Sequence, residues 1–355
     1  MIARRPRMST LTLMLLTAGL SLAHAAAPAV AQAGPGSTSI RTLGLTVETL
    51  PRLDSSTSAQ PLAMLVAGEA VGVKVHWRRF FDGTRRRLPG SATQKTAEVW
   101  KHPLLKRVRT SGTHGAYRQL IEGRCDLIFE AREPFVDELK LAREKGVTLE
   151  VRPVARDAFV FIVNTRNPVT GLTRHQIRQI YTGKLTRWGR LGGPDVTINA
   201  YQRNQTSGSQ QLMLKLVMKG LEMTPAARRM TTATMMGPIN NINTDVKGLG
   251  YTVYFYERFM APPGGRHAPK AKARQTQQQV APARVRRMLT IDGVMPSAAT
   301  IATGKYPLCE PVYIVIRRDV PPHHPTRRLR DFMLTEPGQA LVRRSGYVTL
   351  KGDLP

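Results

Sequence analysis

Apolar positions along the chain follow two periods that alternate with each other. Runs of strand length, apolar throughout or at every second position, occupy residues 126–129, 147–154, 158–163, 196–201, 248–256 and 312–316. Between them, apolar residues recur three and four positions apart, which predicts helices over residues 61–67, 117–122, 136–145, 173–180, 326–334 and 337–345. Strands that alternate with helices in this way favour an α/β fold with largely parallel sheets.

The segment before the first of these helices has a weaker pattern. Leu45, Val47 and Leu50 suggest a strand over residues 40–53. Residues 73–77 predict a second short strand after the helix.

Three predicted helices begin directly after loops that are rich in small and hydroxyl-bearing residues, at residues 54–58, 111–116 and 203–209. In the third loop, Ser207 stands three residues before Gln210, a capping-box spacing. The first turn of a helix offers unpaired N–H groups to an anion, and Arg203 adds a planar fork suited to phosphate oxygens. An ordinary capped helix beside a surface arginine is the alternative for this loop alone. Three such loops in one chain favour an anion site.

The N-terminus has the features of a cleavable signal peptide over residues 1–25. Its arginines precede an apolar region at residues 11–22, and Ala23-His24-Ala25 fits an A-x-A cleavage site. The apolar region is too short to span a bilayer comfortably, and no later segment approaches the roughly 20 apolar residues of a membrane helix. The sequence therefore predicts a periplasmic or secreted protein.

Charge is the most unusual feature of the composition. The 355 residues include 53 Lys and Arg against 24 Asp and Glu, a formal net charge of +29. This excess favours acidic partners without specifying a fold. Residues 78–109 are typical of a solvated basic face, and residues 261–287 predict a flexible basic loop because Arg and Lys lie there among Pro, Gly and Gln. Polyanion binding is thus an alternative function, although few aromatic residues are interleaved to stack bases.

The sequence lacks the motifs of common enzyme sites. The Gly-Lys pairs at residues 183–184 and 304–305 have neither the earlier glycine nor the Ser or Thr of a P-loop. No G-x-S-x-G elbow is present. The two histidines at residues 323–324 lack Cys or acidic neighbours, so a solvated loop is expected there and no metal site. Cys125 and Cys309 leave both a disulfide and two free thiols open.

These segments together resemble the phosphate-binding periplasmic receptors of ABC importers. The resemblance covers about residues 54–348, and its main motifs are LTRHQIRQIYTGKLTRW at residues 172–188, the Arg203…Ser207-Gly208-Ser209 loop and GLGY at residues 248–251. It implies an α/β fold of two lobes, a type II periplasmic-binding-protein fold, with the ligand cleft between the lobes. The implied division assigns residues 40–156 and 306–355 to lobe 1 and residues 157–305 to lobe 2.

The resemblance also implies which residues hold the oxyanion. The family's Arg-x-x-x-Ser-Gly-Thr loop matches the third loop here, with Ser209 in place of the threonine. The family's other two ligand loops match the first two loops of this chain. The implied ligand-binding residues are Thr57, Ser58, Thr113, Arg203, Ser207, Gly208 and Ser209.

The family's proton-accepting aspartate has no clean counterpart in this chain. Glu130 follows the predicted strand at residues 126–129 and is the candidate, with Glu133 as the fallback if the alignment shifts. A carboxylate at this position would accept the proton that phosphate carries near neutral pH and would repel sulfate. The alternative is that both glutamates are ordinary turn carboxylates, paired with Arg132.

The implied function is that of an extracytoplasmic binding protein, not an enzyme, that captures inorganic phosphate for ABC-type import without a cofactor. Its implied partners are phosphate and the permease subunits of a transporter, and residues 261–287 would contact an anionic envelope surface. The alternatives are a receptor for sulfate or molybdate, a sensor, or a basic secreted protein that binds polyanions. No specific nucleic-acid partner is expected.

Overall fold

The computed structural model describes residues 39–80, 83–91, 93–262 and 284–355. The predicted signal peptide and most of the predicted basic loop lie outside the described residues. Among the helices that are described, none is long and apolar enough to cross a membrane.

Short strands and helices alternate along the described chain. The strands are β1 (Leu53–Ser55), β2 (Val75–Arg79), β3 (Arg85–Pro89), β4 (Leu127–Glu130), β5 (Leu149–Asn164), β6 (Gly171–Leu172), β7 (Asn199–Ala200), β8 (Gln202–Arg203), β9 (Thr231–Thr232), β10 (Gly248–Val253), β11 (Arg286–Met288), β12 (Thr290–Ile291) and β13 (Cys309–Arg317). The α-helices are α1 (Gln60–Val71), α2 (Thr96–Val99), α3 (Thr113–Ile121), α4 (Val136–Glu144), α5 (Arg174–Tyr181), α6 (Gly208–Leu212), α7 (Pro225–Arg229), α8 (Met236–Thr244), α9 (Ala298–Ala302), α10 (Pro325–Met333) and α11 (Glu336–Ser345). Single turns of 3-10 or π type cover Ile40–Leu43, Pro103–Lys106, Trp188–Leu191, Met213–Met218 and Tyr256–Met260.

The main sheet has the strand order β1-β4-β13-β5-β10-β7, and β11 pairs with β5 beside this path. The α/β fold class is as predicted, but the expectation of largely parallel strands is wrong. Only the outer pairs of this sheet, β1–β4 and β10–β7, are parallel, and all pairs to β5 and β13 are antiparallel. A buried apolar run indicates that both faces of a strand are covered, but it carries no information on the direction of the neighbouring strand.

The long strand β5 joins the two halves of this sheet. Its first part, residues 149–158, pairs with β13, and its last part, residues 159–164, pairs with β10 and β11. The sequence predicts two strands here, at residues 147–154 and 158–163, whereas the structure merges them into one. The pairing of β5 with β13 shifts register between Val312 and Tyr313, next to Pro153. Proline has no N–H to donate to a neighbouring strand, and an irregularity of this kind allows the strand to continue past it. The predicted lobe boundary after residue 156 falls inside β5 and stays a prediction.

Residues 40–53 do not form the predicted strand. The chain makes a 3-10 turn over Ile40–Leu43, and Gly44 then adopts φ 65°, a left-handed conformation that breaks an extended chain. The Thr46 N–H next donates to the Thr49 hydroxyl at 2.9 Å, which closes a further local turn. Leu45 and Leu50 lie in this irregular segment, and both are buried. Their apolar character therefore comes from packing into the core and does not indicate a strand.

Several other predictions agree closely with the structure. The six apolar residues 158–163 are all fully buried in β5. Helix α5 begins with a capping box: the Gln176 N–H donates to the Thr173 hydroxyl at 3.0 Å, and the Thr173 N–H donates to Gln176 Oε1 at 2.8 Å. Cys125 and Cys309 are both free thiols, which resolves the question that the sequence leaves open.

Candidate functional site

A cavity of about 780 Å³ forms where three loops and the helices that follow them come together. Loop 1 (residues 56–58) precedes α1, loop 2 (residues 110–113) leads into α3, and loop 3 (residues 203–209) leads into α6. The cavity is lined by seven of the eight predicted ligand residues, namely Thr57, Ser58, Thr113, Arg203, Ser207, Gly208 and Ser209. The first amides of a helix lack acceptors within the helix, so the starts of α3 and α6, at Thr113 and Gly208, bring N–H groups to the cavity.

Loops 1 and 2 are fixed by Asp54, which is fully buried beneath them. Asp54 Oδ1 accepts from the Ser55 N–H at 2.7 Å and from the Ser111 N–H at 2.8 Å, and Oδ2 accepts from the Ser111 hydroxyl at 2.6 Å. Gly112 then adopts φ 74°, and α3 begins at Thr113, earlier than the predicted start at residue 117. The earlier start brings the Thr113 hydroxyl and the free amides of the first turn to the cavity.

Loop 3 leads into a helix, but the predicted capping box of Ser207 and Gln210 is wrong. Ser207 is the N-cap residue without a capping hydrogen bond from its side chain, and its Oγ lies 3.1 Å from Ser209 Oγ. The buried Gln210 turns away, and its Oε1 accepts from the Arg203 N–H at 3.0 Å and from the Tyr251 hydroxyl. These tertiary partners replace the local one, so Gln210 holds the backbone of Arg203 and both serine hydroxyls stay at the cavity.

Arg203 is a nearly buried cation at the wall of the cavity, only 8% exposed. Its guanidinium makes long contacts with the carbonyls of Thr232 and Ala233 (both 3.3 Å) and with Ser209 Oγ (3.4 Å). No ion pair with a carboxylate is formed among the described residues. Burial therefore lowers the pKa of Arg203 to about 10. An anion in the cavity would supply the negative charge that balances this guanidinium.

Gly208 of loop 3 lies against Thr113 at the start of α3. A Cβ atom built on Gly208 would lie 2.5 Å from Thr113 Oγ1 and 3.2 Å from Thr113 Cβ. Only a glycine allows this approach of loop 3 to the start of α3. The cleft is therefore narrow beside the ligand residues.

Replacing Gly208 with Ala should weaken anion binding by about 1–3 kcal/mol, the usual cost of overpacking a tight contact. The new methyl group would push Thr113 away and hold the cleft open. Calorimetric titration with phosphate measures the loss. On a Thr113→Ala background the same change should cost much less, because the clashing hydroxyl is gone. Equal losses on both backgrounds would show that Thr113 is not what makes the glycine necessary.

Glu130 is not brought into the cavity. It is 0% exposed at the end of β4, opposite Tyr313 of β13, and it is absent from the residues that line the cavity. Burial raises the pKa of its carboxyl well above the ordinary value, and the lowering effects of Arg132 and of the Thr113 hydroxyl are smaller. Neither oxygen forms a hydrogen bond of standard geometry within the described chain. The carboxyl lies behind Thr113, so the structure does not bring this predicted ligand residue to the lining of the cavity.

The fallback candidate, Glu133, also lies away from the cavity lining. Its exposed carboxylate faces Lys215 at 3.4 Å, and Lys215 pairs more closely with Glu310, at 2.7 Å. Arg132, the expected partner of the two glutamates, is fully buried and pairs with Glu138 instead, at 2.7 Å. The alternative that Arg132 pairs with Glu130 and Glu133 is therefore wrong: the partner of Arg132 is Glu138.

Arg86 is the charged residue of the cavity that sequence reasoning missed. It lies on β3, within the stretch interpreted as a solvated basic face, and it lines the cavity. A run of arginines shows that a segment is basic, but only the pairing of β2 with β3 decides which of them face inward. His114 also lines the cavity; it lies in the first turn of α3, and its Nδ1 is 3.0 Å from Glu138 Oε1.

Comparison with known proteins identifies the family of this chain. The sequence model of the PBP superfamily domain matches residues 89–334. The chain is 25% identical over 243 residues to the phosphate-binding protein PstS of Staphylococcus epidermidis, covering 67% of this chain and 68% of that protein. It is also 25% identical over 253 residues to the protein SphX of Synechococcus elongatus, covering 68% of each chain.

Solved structures share the fold. A phosphate ABC transporter substrate-binding protein from Clostridium perfringens, solved with bound phosphate, superposes with a TM-score of 0.58. The match covers 84% of this chain and 98% of that one at 20% identity. An ABC-type phosphate transport receptor from Vibrio cholerae gives a TM-score of 0.54 over 83% of this chain and 98% of its own, also at 20% identity. The predicted two-lobed α/β fold is thereby confirmed.

Proposed function

This chain belongs to the PBP superfamily, and from that premise we propose that it captures inorganic phosphate in the cavity described above. The proposal assigns ligand contacts to the hydroxyls of loops 1 to 3, to the Gly208 amide and to the guanidinium of Arg203. Phosphate would then be released to the permease of an ABC importer, the system named for the similar proteins from Clostridium perfringens and Vibrio cholerae. Binding and release would be its whole task, without catalysis.

The observation that carries the proposal is the unneutralised charge of Arg203. Keeping a guanidinium 92% buried without a carboxylate costs free energy. That cost is offset when an anion binds, and the helix starts of α3 and α6 add N–H donors and positive dipole ends at the same place. A planar guanidinium pairs with two phosphate oxygens at once, which makes the contact both strong and directional.

The proposed ligand is tested by calorimetric titration of the phosphate-stripped protein with phosphate at several salt concentrations. A single saturable site whose affinity changes little with salt is expected, because salt screens the buried charge of Arg203 less than it screens surface charges. A basic protein that binds polyanions at its surface would instead lose affinity steeply as salt rises. Absence of phosphate binding at every salt concentration would refute the proposal.

Export and contact with an anionic envelope surface belong to the same proposal. The segments responsible, residues 1–25 and most of residues 261–287, lie outside the described residues. The end of the predicted loop is corrected by the structure: Arg286 is buried in β11 and pairs with the buried Glu257 at 2.9 Å. A fixed ion pair of this kind is part of the fold, so the candidate surface segment shortens to residues 263–283.

Changing the basic residues of this shortened segment should separate phosphate binding from contact with an anionic surface. We expect phosphate affinity to stay unchanged and retention on an anionic matrix to fall when the following are replaced by serine: Arg266, Lys270, Lys272 and Arg274. A matched control removes four exposed basic residues elsewhere, namely Lys140, Arg143, Lys145 and Lys184. Similar losses of retention in both variants would mean that net charge alone matters and that the segment has no special role.

A further inference from the structure

We propose that this cavity selects doubly charged tetrahedral oxyanions by their charge and does not read the proton of the ligand. Two features carry this inference, which rests on the proposed anion site. The described lining of the cavity contains no Asp or Glu, and Arg86 adds a second guanidinium to that of Arg203. Sulfate should therefore bind in the same cavity as phosphate.

A carboxylate facing the ligand is the simplest group that separates phosphate from sulfate. Phosphate near neutral pH carries a proton that it donates to the carboxylate, whereas sulfate has none and is repelled by the charge. Rejection of sulfate by this route needs an ionised carboxylate in contact with the anion. The charged side chains that line the described cavity are Arg86 and Arg203, with His114 beside them.

Three carboxyl groups lie next to residues of the cavity lining without lining it themselves, and one of them, Glu138, is held by Arg132 at 2.7 Å and by His114 at 3.0 Å. The other two are Asp54 and Glu130. Asp54 is fully buried, and its two oxygens accept the N–H groups of Ser55 and Ser111 and the Ser111 hydroxyl. Glu130 is fully buried behind Thr113, and burial raises the pKa of its carboxyl well above the ordinary value. Neither carboxyl group lines the cavity, so neither is placed to contact a ligand oxygen there.

The groups that do reach the cavity tolerate both ligands. Hydroxyls from Thr57, Thr113 and Ser209 rotate freely between donating and accepting. They accept the proton of a hydrogen phosphate or donate to an unprotonated sulfate oxygen with similar ease. Helix N–H groups and guanidinium groups donate to any oxyanion. The polar shell is thus complementary to a tetrahedral dianion and indifferent to its proton.

Arg86 adds a second positive charge to the cavity lining, which strengthens selection by charge. It is half-buried, its guanidinium lies 4.8 Å from the centre of the Phe80 ring, and its buried Nε finds no hydrogen-bond partner among the described residues. It also forms no ion pair within that part of the chain. The aromatic ring supports the side chain without neutralising it. Arg86 lies on the β2–β3 hairpin, just before residue 89, where the match to the superfamily model begins.

The neighbouring arginine on the same strand provides a matched control. Arg85 is exposed and packs on the other side of the hairpin, with its guanidinium 5.1 Å from the centre of the Trp77 ring. It does not line the cavity. Loss of Arg85 changes the net charge of the protein and of the hairpin as much as loss of Arg86 does, without changing the charge of the cavity.

The first test titrates the wild-type protein with phosphate and with sulfate at the same pH and ionic strength. The inference predicts dissociation constants within about tenfold of each other and competition between the two anions for one site. If phosphate binds and sulfate is rejected by more than about a hundredfold, the proton is read and the inference is wrong, while the proposed function stands. If neither anion binds, the proposed function itself fails.

The second test compares Arg86→Ala with Arg85→Ala. The Arg86 variant should bind both anions at least tenfold more weakly, with their ratio nearly unchanged, and the Arg85 variant should bind both like the wild type. Thermal unfolding of the anion-free proteins confirms that both variants are folded. Unchanged binding by Arg86→Ala, or equal weakening by both variants, would remove Arg86 from the ligand shell.

Discussion

Replacing Arg203 with Ala is expected to weaken phosphate binding by about 2–4 kcal/mol, the range for removing one partner of a buried charge pair. The size of the effect follows from burial: Arg203 is 8% exposed and has no carboxylate partner among the described residues, so the ligand is the anion that would meet its charge. Arg203→Lys keeps a charge but loses the planar fork, and it should fall between the wild type and the alanine variant. Calorimetric titration with phosphate measures all three dissociation constants.

Arg187→Ala is the matched control for this experiment. Arg187 is about half exposed, pairs with the exposed Asp195 at 2.6 Å and does not line the cavity. The Arg187→Ala variant therefore loses one positive charge without a change in the cavity. It should bind phosphate with the dissociation constant of the wild type. If Arg203→Ala also binds like the wild type, Arg203 does not contact the ligand and the proposed site must be abandoned.

Replacing Glu138 with Gln is expected to lower the free energy of unfolding by about 3–5 kcal/mol, because it leaves a buried positive charge without its partner. Arg132 and Glu138 are both 0% exposed and form two contacts, at 2.7 and 3.1 Å. Glu138 Oε2 also accepts from the Phe135 N–H at 2.5 Å, so the same carboxylate fixes the start of α4. Urea unfolding followed by circular dichroism measures the change.

The same pair predicts a pH dependence of stability. Burial alone would raise the pKa of Glu138, but the hydrogen bonds and the charge of Arg132 outweigh it, and the pKa is lowered in the folded state. Its stabilising contribution is therefore complete above the ordinary glutamate pKa and is lost as pH falls through the lowered folded value. Below a pH of about 4 the wild type should lose stability more steeply than Glu138→Gln.

A second glutamate on the same helix provides the control. Glu144 is exposed and faces Lys140 at 3.8 Å, an arrangement that contributes little in water. Glu144→Gln should change the free energy of unfolding by less than about 0.5 kcal/mol. Should Glu138→Gln be as stable as Glu144→Gln, the buried pair does not support the fold in the way its geometry indicates.

Residue types within one segment are visible in the sequence, whereas the direction of a side chain depends on how the segments pack. The three hydroxyl-rich loops were recognisable because each is a short segment whose residue types suit a helix start, and the Arg203 loop carries its charge beside its own helix. Glu130 and Arg86 were misassigned because their roles depend on where a side chain points. β4 carries Glu130 into the layer behind Thr113, and the register of β2 with β3 turns Arg86 inward and Arg85 outward.

Sequence alone determined the α/β class, the family, and seven residues that line the cavity, since these follow from periodicity and from motifs within single segments. Tertiary structure alone decided that β5 is one strand shared by both halves of the sheet. It also decided that Gln210 accepts a hydrogen bond from the Arg203 N–H and forms no capping box with Ser207. The described lining of the cavity, with two arginines and no carboxylate, follows from the tertiary structure as well. The physical reason is that burial and pairing between distant segments set side-chain direction, charge state and hydrogen-bond partners. Those contacts bring together residues far apart in the chain, and no local pattern records them.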